Sequence, residues 1–268
     1  MSVTPTFFAH NSGKATVGPT AARVWVVLPA FNEAENLPPL LDGIASILAT
    51  GERAYTVVVV DDGSSDATSS VVKDHAGRLP LQLIVHERNR GLARAIETGL
   101  RVVLQGAGAE DVVVTMDADN THSPRLLPRM VAALQGGADV VIASRFAPGG
   151  AEEGVPPLRR ILSRGIGLLM HLRFGLRGVR DYSSGYRAYR ARLLQAAAGR
   201  YGARLIEAHG FAVMAELLVK LRAFHPRIVE VPLSLRYDLK QGGSKMRVWQ
   251  TVREYLGLLA SRTPSSGS

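Results

Sequence analysis

The sequence predicts an α/β fold, a mostly parallel sheet with helices on both faces. Two observations carry that expectation. Val24-Trp25-Val26-Val27-Leu28 and Tyr55-Thr56-Val57-Val58-Val59-Val60 are continuous β-forming runs, stopped by Pro29 and by Asp61-Asp62-Gly63, as strands buried on both faces are. Between them Leu37, Leu40, Leu41, Ile44, Ile47 and Leu48 recur at helical spacing, which makes the three segments a β-α-β unit.

Residues 1–22 mix Ser, Thr, Gly, Pro and Ala without periodicity and read as a poorly ordered lead-in. After the first unit come a strand at Leu81–Val85, a helix near Leu92–Leu104, a strand at Val112–Met116, a helix near Pro124–Leu134 and a strand at Asp139–Ile142. Such alternation argues for a parallel sheet covered on both sides. Then the pattern breaks. Phe146–Pro157 reads as a Gly/Pro loop, Leu158–Leu176 as an arginine-studded apolar helix interrupted by Gly165 and Gly167, and Ser183–Tyr189 as a short polar strand. Helices at Ala191–Ala198 and Phe211–Phe224, a strand at Ile228–Val231, a Gly243-Ser244-Lys245 loop and a helix around Trp249–Leu259 complete the chain. Residues 23–260 are expected to form one domain with halves 23–145 and 146–260, followed by a flexible tail at 261–268.

The absence of cysteine excludes disulfide frameworks, thiolate metal sites and Cys nucleophiles, leaving carboxylates and His as metal ligands. The net charge of +9 is uneven. Residues 1–150 hold 12 Lys and Arg against 15 Asp and Glu, residues 151–268 hold 20 against 8, and the halves therefore carry −3 and +12. The C-terminal half is expected to meet an anion, either a phosphorylated substrate or an anionic membrane leaflet. Its aromatics form no stacking platform, so nucleic acid is not an expected partner. No apolar run approaches the roughly 20 residues of a membrane span, and no signal pattern opens the chain. A cytoplasmic protein, peripheral on the cytoplasmic face of the membrane, is expected.

The strands of the N-terminal half end in residues that packing does not require: Pro29-Ala30-Phe31-Asn32-Glu33, Asp61-Asp62-Gly63-Ser64-Ser65-Asp66, His86-Glu87-Arg88-Asn89-Arg90-Gly91 and Asp117-Ala118-Asp119. Ligands of open α/β sheets gather at such ends. Asp117 and Asp119, at i and i+2, leave their strand on one side, and a bend between them lets both meet one hard divalent cation. A phosphatase nucleophile or a plain turn also accommodates this pair. Helix capping explains any single strand end and is the preferred reading of Asp66 and Glu35. Four ends in register argue for a nucleotide cleft with a cation.

In this order the motifs resemble family-2 glycosyltransferases of the GT-A fold, a Rossmann-like nucleotide-diphospho-sugar transferase architecture, and among them the polyprenol (dolichol) phosphate mannose synthases. The resemblance rests on Val27-Leu28-Pro29-Ala30-Phe31-Asn32-Glu33, Val60-Asp61-Asp62-Gly63-Ser64-Ser65-Asp66, Asn89-Arg90-Gly91-Leu92 and Asp117-Ala118-Asp119. It continues through Ser144-Arg145-Phe146 with Gly149-Gly150, Ile161-Leu162-Ser163-Arg164-Gly165, Asp181-Tyr182-Ser183-Ser184-Gly185-Tyr186-Arg187 and Gly243-Ser244-Lys245-Met246.

The resemblance implies that Pro29, Asn32, Glu33, Asp61, Asp62 and Asp117 bind a sugar nucleotide, GDP-mannose or UDP-glucose, and that residues 23–145 form its half of the domain. It implies Mg²⁺ or Mn²⁺ on Asp117 and Asp119. It further implies that Arg145, Arg159 and Lys245 grip the phosphate of a polyprenyl phosphate lipid, in an acceptor and membrane half spanning 146–260. The implied reaction is an inverting transfer of a hexose, mannose before glucose. A phosphate monoester with a second pKa near 6 is already largely a dianion at neutral pH, so it needs no dedicated base. Asp181 and Glu216 are the candidates should there be one, with a loop-capping Asp and a helix-surface Glu as their plainer readings. His122 is expected in an exposed turn. The chain departs from the mannose synthases at Thr121, where they place a metal-shell Gln, and at Leu239, where an Arg is expected before the Gly-Ser-Lys loop. The basic Leu158–Arg180 stretch suits an interfacial helix on anionic lipid.

Two rival functions are a haloacid-dehalogenase-like phosphohydrolase with Asp117 as nucleophile, and a non-catalytic sugar-nucleotide-binding peripheral membrane protein. The phosphohydrolase places its further acidic pair downstream of the nucleophile, whereas Asp61-Asp62 lies upstream. A dinucleotide-dependent dehydrogenase is disfavoured because no G-x-G-x-x-G follows the first strand.

Overall fold

The computed structural model describes residues 6–7, 22–51, 53–239 and 248–260, with the backbone alone at 6–7, 159 and 248–250. Among them are strands β1 (Thr6–Phe7), β2 (Val24–Ala30), β3 (Tyr55–Asp61), β4 (Leu81–Val85), β5 (Val112–Thr115), β6 (Val140–Ser144), β7 (Ala151–Glu153), β8 (Arg187–Arg190), β9 (Ile228–Pro232) and β10 (Ser234–Arg236). The helices are α1 (Leu37–Ala49), α2 (Thr68–His75), α3 (Leu92–Gly106), α4 (Leu127–Gln135), α5 (Pro157–Phe174), α6 (Ala191–Tyr201), α7 (Val213–Leu221) and α8 (Val248–Ala260).

The main sheet runs β1-β4-β3-β2-β5-β8-β6-β9. Its pairs β4-β3, β3-β2, β2-β5 and β6-β9 are parallel, while β8 lies antiparallel between β5 and β6. From β2 the chain builds outward through β3 and β4, then returns to β5 on the other side. The strand order therefore reverses between β2 and β5, where such sheets open a crevice. Both strands point their carboxyl ends into it.

Alternation along each strand divides the core into two layers. Trp25, Val27, Val58, Val60 and Val113 face α3, α6 and α7, and Val24, Val26, Leu28, Val57 and Val59 face α1, α2 and α4. Burial on both faces is why these strands read as unbroken apolar runs.

The structure departs from the sequence expectations in places. Thr6 and Phe7, within the lead-in, pair antiparallel with Leu83 and Gln82 at the sheet edge. The rest of that lead-in up to residue 21, and the tail at 261–268, lie outside the described residues. Helix α2 is short and buries only Thr68 and Val72, so it has too few apolar positions for a periodic signal. The Gly/Pro loop contains β7, which pairs with β10 in a separate two-stranded sheet. Glycines do not interrupt α5, which is one continuous helix packed beside α8. Each costs it about 1 kcal/mol of propensity, less than an anchored helix gains from burying Met170 and Phe174.

Candidate active site

A cavity of about 710 Å³ opens at the carboxyl ends of β2, β3 and β5 and runs beneath α5 and α8. Pro29, Glu33, Asp62, Asp117, Asp119 and Arg145 line it. Two expected nucleotide-binding residues do not. Asp61 is buried, and its carboxylate accepts from the Ser64 amide at 2.9 Å and from the Ser69 hydroxyl. Asn32, with φ of 53°, accepts from the Ser65 amide at 2.8 Å while its own amide donates to Ser64 Oγ at 2.9 Å. Asn32 ties the end of β2 to the turn after β3, and Asp61 fastens that turn to α2. Asp66 accepts from the Thr68 amide at 2.9 Å and from the Ala34 amide at 3.2 Å, so it fastens the turn before α2 to the segment after β2; the N-cap of α2 is Ala67, without a side-chain cap, in place of the expected capping by Asp66.

Asp62 is the carboxylate that β3 delivers to the cavity. Its oxygens accept from His86 Nδ1 at 2.6 Å, the Arg90 amide at 3.0 Å and the Gly91 amide at 2.7 Å. A carboxylate only accepts, so Nδ1 carries the proton. His86 Nε2 lies 3.0 Å from Thr98 Oγ1 on α3, and the imidazole is buried. Sequence reading placed His86 at a strand end without a role; nothing local in the sequence marks it as the support of Asp62. Glu33 accepts from Asn36 Nδ2 at 2.7 Å, which fixes the second acid of this wall.

Asp117 and Asp119 stand where β5 ends, Asp117 with 34% of its side chain exposed. Gly185 makes room for it, since a Cβ there would stand 2.8 Å from Asp117 Oδ1. Asp119 Oδ1 accepts from the Thr121 hydroxyl at 2.7 Å and its amide at 3.3 Å. Thr121, little exposed but lining the same cavity, holds the second acid in place. His122 is buried too, contrary to the exposed turn expected of it. Its ring stacks on Tyr186 with centroids 5.2 Å apart, and Nδ1 accepts from the Asp117 amide at 3.3 Å. That leaves Nε2 to carry the proton of the neutral ring, 3.8 Å from Asp117 Oδ2.

Among the described residues no group of three or more His, Cys, Asp or Glu forms a metal cage. The donor set nonetheless fits Mg²⁺ or Mn²⁺. Two carboxylates facing one cavity supply hard oxygens, and such ions usually complete their shell with substrate phosphate and water.

Opposite the acids, Arg145 grips Asp181 through Nε and Nη2, both at 2.8 Å. Asp181 also accepts from the Ser183 and Ser184 amides at 3.1 and 3.0 Å, and it is 0% exposed. Burial pushes this carboxyl up, but the Arg145 guanidinium outweighs it and holds it below the ordinary aspartate range. Burial likewise opposes the charge on Arg145, and Asp181 then raises its pKa above the ordinary arginine value. So enclosed, the Asp181 carboxylate does not line the cavity and instead holds the Arg145 side chain in place. Glu216 is not the helix-surface residue expected of it. It lies buried on α7, paired with Lys220 at 2.7 Å and accepting from the Ala208 amide at 2.9 Å.

The cavity wall around Arg145 holds three residues that sequence reading did not single out. Ser183 Oγ lies 2.6 Å and Ser163 Oγ 3.4 Å from Nη2, and Glu152 Oε1 lies 3.5 Å from Nη1. The Ser residues sit inside quoted motifs, but a lone hydroxyl gives no signal until the fold brings α5 over the strand ends. The Arg159 side chain and Lys245 lie outside the described residues.

The family profile described as "Glycosyl transferase family 2" matches residues 25–197. A dolichol-phosphate mannosyltransferase of Pyrococcus furiosus is 31% identical over 87% of this chain, and the chain spans only 62% of that relative's length. An undecaprenyl-phosphate mannosyltransferase of Micrococcus luteus is 34% identical over 84% of this chain and 87% of its own. Among solved structures, glucosyl-3-phosphoglycerate synthase from Mycobacterium tuberculosis, crystallised with Mn²⁺, uridine diphosphate and phosphoglyceric acid, superposes with a TM-score of 0.66. That match is 23% identical and covers 92% of this chain and 80% of that one, a likeness of fold.

Proposed function

Because the chain belongs to glycosyl transferase family 2, we propose that it transfers a hexose, mannose before glucose, from a sugar nucleotide to a polyprenyl monophosphate with inversion. The observation that carries this reading is the cavity itself. It sets two acids at the switch point of a nucleotide-binding sheet against an arginine with two serine hydroxyls. The relatives' names, dolichol-phosphate and undecaprenyl-phosphate mannosyltransferase, support the acceptor class and favour GDP-mannose over UDP-glucose as donor.

In this reading Pro29, Glu33 and Asp62 hold base and ribose, the carboxylates accepting from hydroxyls. Asp117 and Asp119 hold Mg²⁺ or Mn²⁺, which when bound compensates charge on the departing nucleoside diphosphate. Arg145, kept rigid by Asp181, presents its guanidinium to the acceptor phosphate, with the Ser163 and Ser183 hydroxyls beside Nη2. A phosphate oxygen forms its bond to the anomeric carbon as that carbon's bond to the nucleotide breaks. The attacking dianion carries no proton at neutral pH, so none has to be removed. No support exists for a phosphohydrolase, because the acids sit where a nucleotide cleft needs them and the Asp61-Asp62 pair precedes them in the chain.

We further read the protein as peripheral on the cytoplasmic face of the membrane. No described helix is long and apolar enough to cross a bilayer, yet α5 exposes Leu158, Ile161, Leu168, Leu169 and Leu172 among its arginines. Leu172 is 73% exposed. The deciding assay is transfer of label from GDP-mannose and UDP-glucose to polyprenyl phosphate, with and without EDTA. Label is expected in the lipid phase only with divalent metal. Turnover of generic phosphate esters without a sugar nucleotide, or undiminished transfer after chelation, overturns the acceptor or the metal assignment respectively.

A further inference from the structure

On the far side of Arg145 from the catalytic cavity lies a second pocket of about 480 Å³. Arg145, Phe146, Arg164, Gly167, Leu168 and Arg180 are the lining residues that matter, and no acid lines it. Arg145 is committed to Asp181. The side chains of Arg164 and Arg180 are exposed and have no ion pair or hydrogen bond among the described residues. Arg164, Gly167 and Leu168 share one face of α5 by their i, i+3, i+4 spacing. That face packs against the segment carrying Arg180, a Cβ at Gly167 standing 3.6 Å from the Arg180 carbonyl, in ordinary contact. Two uncompensated guanidiniums converging on one hollow repel each other unless an anion joins them, and phosphate oxygens match their planar forks.

The rim of the pocket indicates which phosphate. Leu168 both lines the pocket and is exposed, and it continues into the exposed Ile161, Leu169 and Leu172 of α5 and Leu256 of α8. A free phosphate has no use for an apolar rim, whereas a phospholipid brings acyl chains beside its headgroup. We propose that this pocket is a second phosphate subsite, separate from the catalytic cavity, that takes the headgroup phosphate of an anionic phospholipid. It anchors α5 in one orientation, so that the neighbouring cavity faces the leaflet in which the acceptor lies. This inference rests on the peripheral-membrane reading above.

The test is sedimentation of the full chain with phosphatidylcholine vesicles containing either phosphatidylglycerol or polyprenyl phosphate. Wild type is compared with the double variants Arg164→Gln/Arg180→Gln and Arg173→Gln/Arg177→Gln, the second removing the same charge from the same basic region. On phosphatidylglycerol the first variant is expected to bind roughly thirty-fold more weakly than wild type, and the second only a few-fold. Equal weakening of both variants shows diffuse attraction and overturns the pocket. Weakening confined to vesicles with polyprenyl phosphate assigns the pocket to the acceptor and overturns the proposed ligand. Wild type failing to bind any anionic vesicle refutes the membrane reading itself, which separates the two failures. Inorganic phosphate added at millimolar concentration is expected to leave binding unchanged, and full competition by it would also count against the apolar rim as the selector.

Discussion

Replacing Asp181 with Asn keeps the shape of the buried side chain and removes its charge. The wild-type carboxylate takes hydrogen bonds from Arg145 Nε and Nη2 at 2.8 Å each, and from the amides of Ser183 and Ser184. The variant leaves the Arg145 guanidinium in a mostly buried site with an amide N–H set against one of its own. Breaking a buried pair from one side costs about 3–5 kcal/mol. Arg145 is 13% exposed and Glu152 stands 3.5 Å from it, so the lower end, about 3 kcal/mol, is the appropriate figure. For a chain of this size that lowers Tm by roughly 6–12 °C. The pH dependence has a definite sign. Because the folded carboxyl is held below the ordinary value of about 3.9, its contribution is present above that value and is lost as pH falls through the folded pKa. Thermal melts from pH 3 to pH 8 should therefore show the widest gap between wild type and D181N near neutrality, closing below about pH 4. Transfer assayed well below Tm should show a raised acceptor KM, from a loosened Arg145, with the pH profile of kcat unchanged. An unchanged Tm with collapsed kcat would refute this reasoning and restore Asp181 as a base.

The acidic pair and its neighbours yield further expectations. Gly185→Ala places a Cβ within 2.8 Å of Asp117 Oδ1, so the carboxylate must turn away; the metal concentration for half-maximal transfer rises while Tm changes little, and a large fall in Tm instead would locate the strain in the backbone. Thr121→Val deletes the 2.7 Å bond to Asp119, and a lost supporting contact of this kind weakens metal affinity about 10–100-fold, readable by Mn²⁺ titration of activity. His86→Ala removes the 2.6 Å donor to Asp62, a charge-assisted bond of about 1.5–3 kcal/mol, and should raise donor KM well above any effect on acceptor KM.

The apolar runs and heptad-like leucines fixed the strands β2, β3, β4 and β5 and the helices α1 and α3, because an element buried on a set face writes its period into its own residues. The four polar strand ends likewise announced the rim of a cleft, and the order of motifs announced the family. What the sequence did not hold is which way each rim residue turns. Asp61 and Asp62 are neighbours, yet one ties back to Ser64 and the other faces the cavity, since successive side chains leave a strand on opposite sides and the turn beyond decides which side is open. Asp181 and Glu216 read as candidate bases until long-range packing enclosed them, the first by Arg145, 36 residues away, and the second by Lys220. His122 read as exposed until β8 brought Tyr186 against its ring. Element type is set by local periodicity. The burial and charge state of a side chain at a strand end are set by partners that only the folded chain brings near.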